Sequence, residues 1–126
     1  MNVTLWLLQI LLAVSFLAHG LLLLLPPAAM VELMNSVMSA GFRIFLGIAE
    51  VLAAVGLTLP GVTRILPRLI PAAAVGLMVV MTGATVLHTN RGEVSSAITT
   101  AILFVLLAFV AYMRWKVKPI SSRAMA

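Results

Sequence analysis

The chain has 126 residues, 63% of them hydrophobic and 9% charged, with a net charge of +5, far from the roughly half-apolar, quarter-charged balance of soluble domains. No polar stretch is long enough for a soluble domain. The basic residues flank apolar runs as headgroup anchors and topology signals, which argues for an integral membrane protein with the lipid bilayer, and no nucleic acid, as its surroundings. Cysteine is absent, which removes disulfides, thiol redox chemistry and Cys-ligated zinc or iron–sulfur clusters from what this chain does alone.

A spanning helix needs about 20 predominantly apolar residues, and four runs qualify, roughly 4–25, 42–59, 69–88 and 95–113. The first opens as "TLWLLQILLAVSFLAHGLLLLL" and stops at Pro26-Pro27, where two missing amide donors end a helix. With no basic segment before it and an apolar stretch too long for a signal peptide, it reads as a retained span. Between Pro27 and Gly41, the residues Met30, Val31, Leu33, Met34, Val37 and Met38 recur at helical spacing beside Glu32, Asn35, Ser36 and Ser39. That spacing predicts a short interfacial amphipathic helix. Pro60-Gly61 closes the second run, "PGVTRILPRLIP" is a tight turn carrying two arginines, and "TNRGEV" parts the third run from the fourth.

Short connections make neighbouring spans antiparallel. The expected fold is all-α: an integral membrane four-helix bundle forming a single transmembrane domain over 1–126, with a basic tail at 114–126. Four spans bring both termini to one side, with Arg64, Arg68, Arg114, Lys116, Lys118 and Arg123, and leave Arg43 and Arg91 on the other. The positive-inside rule then makes both termini cytoplasmic.

In that orientation Arg43 and His88 fall at the outer mouth, His19 roughly 9 Å and Glu50 roughly 12 Å below it at the helical rise. Arg43, Gly47, Glu50, Ala54 and Leu57 step by four and three along one stripe of the second span. Leu8, Leu12, Ser15 and His19 make a similar stripe on the first, and Ala74, Met78, Met81, Thr85 and His88 on the third. If the stripes face the bundle axis, they line an outward-opening pocket with His19, Arg43, Glu50, Thr85 and His88, floored by Met78, Met81 and Leu57. An ionised acid at mid-span costs on the order of 3 kcal/mol by insertion scales, so Glu50 must be paired, hydrated or protonated. Arg43, two turns away across Gly47, is positioned to reach toward it, and Gly47 opens room for that reach or for a ligand. The competing interpretation is a buried ion pair that fixes helix register. The two histidines suit proton relay or ligand hydrogen bonding better than haem or another metal, because they sit at unequal depths. The small residues Ala49, Ala53, Gly56, Ala72, Gly76 and Gly83 suit close helix packing first and homo-oligomerisation second.

These residues resemble the DoxX family of small four-span membrane proteins. The likeness rests on "AHG" closing the first span, Arg43-x3-Gly47-x2-Glu50 opening the second, "GLTLPGVTRILPRL" at its exit and "GATVLH" closing the third. It covers nearly the whole chain. One departure stands out: relatives often carry a lysine shortly after the first-span glycine, where this chain runs "LLLLLPP", so a role needing a positive charge there is not implied. The resemblance implies a multi-pass bacterial plasma (inner) membrane protein, linked in some relatives to quinol oxidation and membrane oxidoreductase complexes and in distant ones to receptor assembly. Two functions follow as expectations. One is a quinone-linked or redox-accessory subunit, with Glu50 as proton acceptor, the histidines as hydrogen-bond partners, Arg43 tuning Glu50, quinone as the cofactor and a membrane oxidoreductase as partner. The other is an assembly or scaffold protein without catalytic activity, in which Arg43 and Glu50 lock the bundle.

Overall fold

The computed structural model describes residues 2–123; the last three residues of the basic tail lie outside the described residues. Five α-helices follow one another: α1 (Asn2–Leu24), α2 (Ala28–Val37), α3 (Ala40–Thr63), α4 (Leu69–Asn90) and α5 (Val94–Tyr112), the last running into a π-helical turn, Met113–Val117. Among the described residues, α1, α3, α4 and α5 with its π-turn are long and apolar enough to cross a membrane. Their connections are short, so the four spans alternate in direction. Both described chain ends and the α3–α4 turn share one end of the bundle, the termini end; α2 and the α4–α5 turn lie at the opposite end.

Local chemistry explains the breaks. Pro26 and Pro27 end α1 for want of amide donors. Ser39 caps α3, its side chain accepting from the Phe42 amide at 3.2 Å, which satisfies one orphan donor of the first turn. Gly92, at φ 72°, turns the chain from α4 into α5. The amphipathic helix expected after the first span is α2, and none of its residues is buried against the bundle.

The second span does not stop at Pro60: α3 continues to Thr63 and ends at Arg64 in the left-handed region. Proline is tolerated inside a membrane helix when neighbours take up the loosened carbonyls. In the turn before Pro60, the Leu57 carbonyl accepts from Gln9 Nε2 of α1 at 2.7 Å.

The spans form a ring in which α1 packs on α3, α3 on α4 and α4 on α5, while α1 and α5 touch only lightly. Leu5, Leu12, Phe16, Leu57, Leu77 and Leu107 head the core, and large apolar residues on the outer faces of every span are exposed to the surroundings. Lipid tails give helices little hydrophobic reason to associate, so close backbone approach matters more. It occurs at Gly20 and Gly47. A Cβ added to Gly20 would lie 3.0 Å from the Gly47 carbonyl oxygen, and one on Gly47 would lie 2.8 Å from Leu24 Cγ. Gly56 packs against Ala73 in the same manner, whereas Gly76 and Gly83 meet nothing within 4 Å and take no part in packing within the chain.

Candidate functional site

The α3 stripe is buried along its length: Arg43, Gly47, Glu50, Ala54 and Leu57 all face the interior. The buried face of α1 is instead Leu5, Gln9, Leu12, Ala13, Phe16, Gly20 and Leu23, which leaves Ser15 and His19 on the flank beside it. That offset decides the site. Because Gly20 has no side chain, α3 approaches α1 closely enough for Glu50 to reach the residue next to Gly20. His19 Nδ1 and Glu50 Oε1 lie 2.8 Å apart, the histidine side chain 55% exposed and the carboxylate side chain 1%. The acid at mid-span is therefore paired. Its other oxygen, Oε2, is buried without a partner among the described residues.

Arg43 is not that partner. Its Nη1 donates to the carbonyl of Leu23 on α1, and the reason lies in the sequence. A helical carbonyl is closed by the amide four residues on, which for Leu23 is Pro27 and does not exist. Arg43 supplies the missing donor at the C-terminal end of α1, where a cation also complements the helix dipole. Gly47 likewise leaves no room for a ligand, since Leu24 and the α1 backbone fill the space a side chain would take.

His19 opens on a cleft of about 310 Å³ between α1, α4 and α5, lined also by Ser15, Met81, His88, Thr99 and Thr100 and by Ser95 and Ser96 at its outer lip. Thus His19, Met81 and His88 share one cavity. Glu50 stands behind it through His19, while Arg43 and Gly47 lie in the α1–α3 seam and Met78 packs against the core. Thr85 joins α4 to α5, with its Oγ1 2.8 Å from that of Thr100. His88 Nδ1 lies 2.9 Å from Glu93 Oε1, and Arg91 Nε 3.2 Å from the same oxygen. The hydrogen bond from His88, with the Arg91 charge, holds the Glu93 carboxyl below its usual range. Glu93 went unnoticed in the sequence, although its place five residues after His88 across a tight turn is visible there.

Beside His19 the cleft offers acceptors, while the Ser95 and Ser96 hydroxyls at its lip can donate. Ser15 and Thr99 spend their hydroxyl hydrogens on the carbonyls of Leu11 and Ser95, leaving oxygen lone pairs for a ligand. With Glu50 ionised, Nδ1–H of His19 donates to Oε1 and the lone pair of Nε2 remains free.

A second buried polar cluster occupies the termini end and was not anticipated. Arg114 is 4% exposed and Gln9 0%. Arg114 Nε donates to Gln9 Oε1, Nη1 donates to Asn2 Oδ1 at 2.9 Å and to the Lys118 carbonyl at 3.0 Å, and the guanidinium lies 5.2 Å from the centre of the Trp6 ring. The residue expected to be a headgroup anchor thus bolts α5 to α1. Gln9 was the available signal, a lone amide at the spacing Leu5, Gln9, Leu12, Phe16.

A family model described as the DoxX-like family matches residues 7–110, which takes in the whole of the cleft and the His19–Glu50 pair. No curated protein and no solved structure matches the chain.

Proposed function

The chain belongs to the DoxX-like family of multi-pass membrane proteins, and from that premise we propose that it binds a quinol in the cleft beside His19 and accepts its proton. The observation that carries the reading is the His19–Glu50 pair: a buried carboxylate fixes the ring of a histidine that opens on a cavity. Beside His19 that cavity offers acceptors, which suit the two O–H donors of a reduced quinone head better than the two carbonyl acceptors of the oxidised form. The ring enters between α1 and α5, with Met81 against it and its tail leaving toward lipid. One quinol O–H donates to His19 Nε2; as the quinol gives up two electrons and two protons, one proton moves to Nε2, where the Nδ1–H bond to Glu50 stabilises the resulting imidazolium, and the other passes to water at the mouth of the cleft. The electrons go to a partner oxidoreductase in the membrane, so the chain acts as a redox-accessory subunit. In this reading both termini are cytoplasmic and the cleft faces outward in a bacterial inner membrane.

Binding of ubiquinol and ubiquinone analogues to the purified protein in lipid nanodiscs tests it. The reduced analogue should bind more tightly than the oxidised one, and Glu50→Gln should weaken the reduced analogue selectively. A parent protein that binds neither, or a Glu50→Gln protein that binds both unchanged, would overturn it.

A second reading has an observation of its own. Arg43 and the Gly20–Gly47 crossing join α1 to α3, and an assembly protein needs only such a rigid bundle to grip a membrane partner. It predicts that Glu50→Gln lowers thermal stability and partner recovery together, with no small molecule retained.

A further inference from the structure

The termini end carries a second cavity system with the opposite chemistry. A cavity of about 750 Å³ is lined by Arg68 and Arg114 together with Pro71 and Trp115, and a neighbouring one of about 390 Å³ by Arg64, Arg114 and Lys118. Neither is lined by an acid. Glu32, Glu50 and Glu93 all belong to the opposite half of the bundle, on α2, in the upper turns of α3 and in the α4–α5 turn. Arg114 belongs to both cavities and its Nη2 is buried without a partner among the described residues. The side chains of Arg68 and Lys118 are exposed.

The larger cavity continues into an apolar groove of about 540 Å³ on the α4–α5 face. The two share Pro71 and Trp115, and Ala72, Val75, Ala111 and Tyr112 complete the groove. Pro71 and Ala72 leave the floor low, and Tyr112 and Trp115 sit where amphipathic rings settle at a membrane interface. The π-turn makes the arrangement. Its widened turn, Met113–Val117, sends Arg114 into the bundle while the adjacent Trp115 stays 56% exposed; such bulges recur at functional sites.

We propose that this end binds an anionic phospholipid, its phosphate held by Arg68, Arg114 and Lys118 and one acyl chain lying in the Pro71–Val75–Trp115 groove. A basic cavity opening onto an apolar furrow at the edge of the hydrocarbon layer matches the two halves of such a lipid. The site is independent of the quinol cleft, which lies at the other end of the bundle.

Native mass spectrometry of the full chain in mild detergent tests it, with phosphatidylglycerol and phosphatidylcholine of identical chains as probes. Phosphatidylglycerol should be retained preferentially. Arg68→Gln and Lys118→Gln, which change exposed side chains and leave the Lys118 carbonyl that Arg114 bonds in place, should each cut that preference by about fivefold. Val75→Trp, which fills the groove, should reduce retention of both lipids without changing the thermal midpoint. Equal retention of the two lipids would overturn the proposal, as would insensitivity to all three substitutions. Displacement of phosphatidylglycerol by an equal concentration of inorganic phosphate would overturn it too, by reducing the site to a phosphate cradle without a chain.

Discussion

Leu23, in the last turn of α1, has a carbonyl that the residue four positions on, Pro27, has no amide to close, and Arg43 closes it from another helix. Charge-assisted bonds of this kind contribute about 1.5–3 kcal/mol, so Arg43→Met should lower unfolding free energy by about that much and Arg43→Lys by less, measurable by thermal unfolding in detergent. An unchanged midpoint in Arg43→Met would refute the capping role. The His19–Glu50 contact makes a spectroscopic prediction: with Glu50 ionised, His19 should be locked as the Nδ1–H tautomer, and nitrogen NMR shifts should report a mixture of tautomers in Glu50→Gln. Glu93 gives a pH dependence. Its carboxyl is held below the usual value of 4.5 by His88 and Arg91, and a group depressed in the folded state contributes stability that is present above the unfolded value and lost as pH falls through the folded one. Amide-exchange protection of the α4–α5 turn should therefore be steady above about pH 5 and decline at lower pH, and Glu93→Gln should flatten the profile. These residues differed in how openly the sequence announced them. Glu50 and Arg43 stand out because charge is rare in an apolar run, but which partner each takes depended on Pro27 and Gly20, whose effect is exerted across helices.

At the scale of elements, the α1–α3 crossing is set by two glycines that leave no room for a side chain. Gly47→Leu should force the helices apart at a cost of about 1–3 kcal/mol and separate His19 from Glu50, whereas Gly76→Ala, with nothing within 4 Å, should leave the thermal midpoint nearly unchanged. If both variants unfold alike, the crossing does not depend on close approach. The contrast also shows what periodicity can resolve. On α3 the polar and small residues stand against bulky ones, and the stripe through Arg43, Gly47, Glu50, Ala54 and Leu57 was legible. On α1 almost every position is apolar, so a stripe through Leu8 and Ser15 looked as plausible as the true buried face through Leu5, Gln9 and Phe16. Helix existence and approximate ends were readable from proline and glycine punctuation, except that Pro60 proved to be interior. The π-turn was not readable: one wider turn re-aims Arg114 inward, and no local residue type marks it.

Taken whole, the four-span bundle carries six of its eight lysine and arginine residues at the termini end, and Arg43 and Arg91 at the other. That lysine and arginine bias predicts a cytoplasmic termini end. Reporter fusions at the C-terminus should accordingly be active as cytoplasmic fusions, and a fusion placed in the Arg91–Glu93 turn as a periplasmic one. The all-α, four-span architecture was open to reading at this scale because composition alone imposes it; the closed ring with one loose seam was not, because seams arise from which faces meet.

That seam has a kinetic meaning. The α1–α5 contact is bolted by Arg114 and Gln9 at one end and slack beside His19 at the other, so an apolar molecule seeking the cleft can arrive sideways, by diffusion within the bilayer. Its rate of arrival would then scale with its mole fraction among the lipids and fall as the leaflet becomes more viscous.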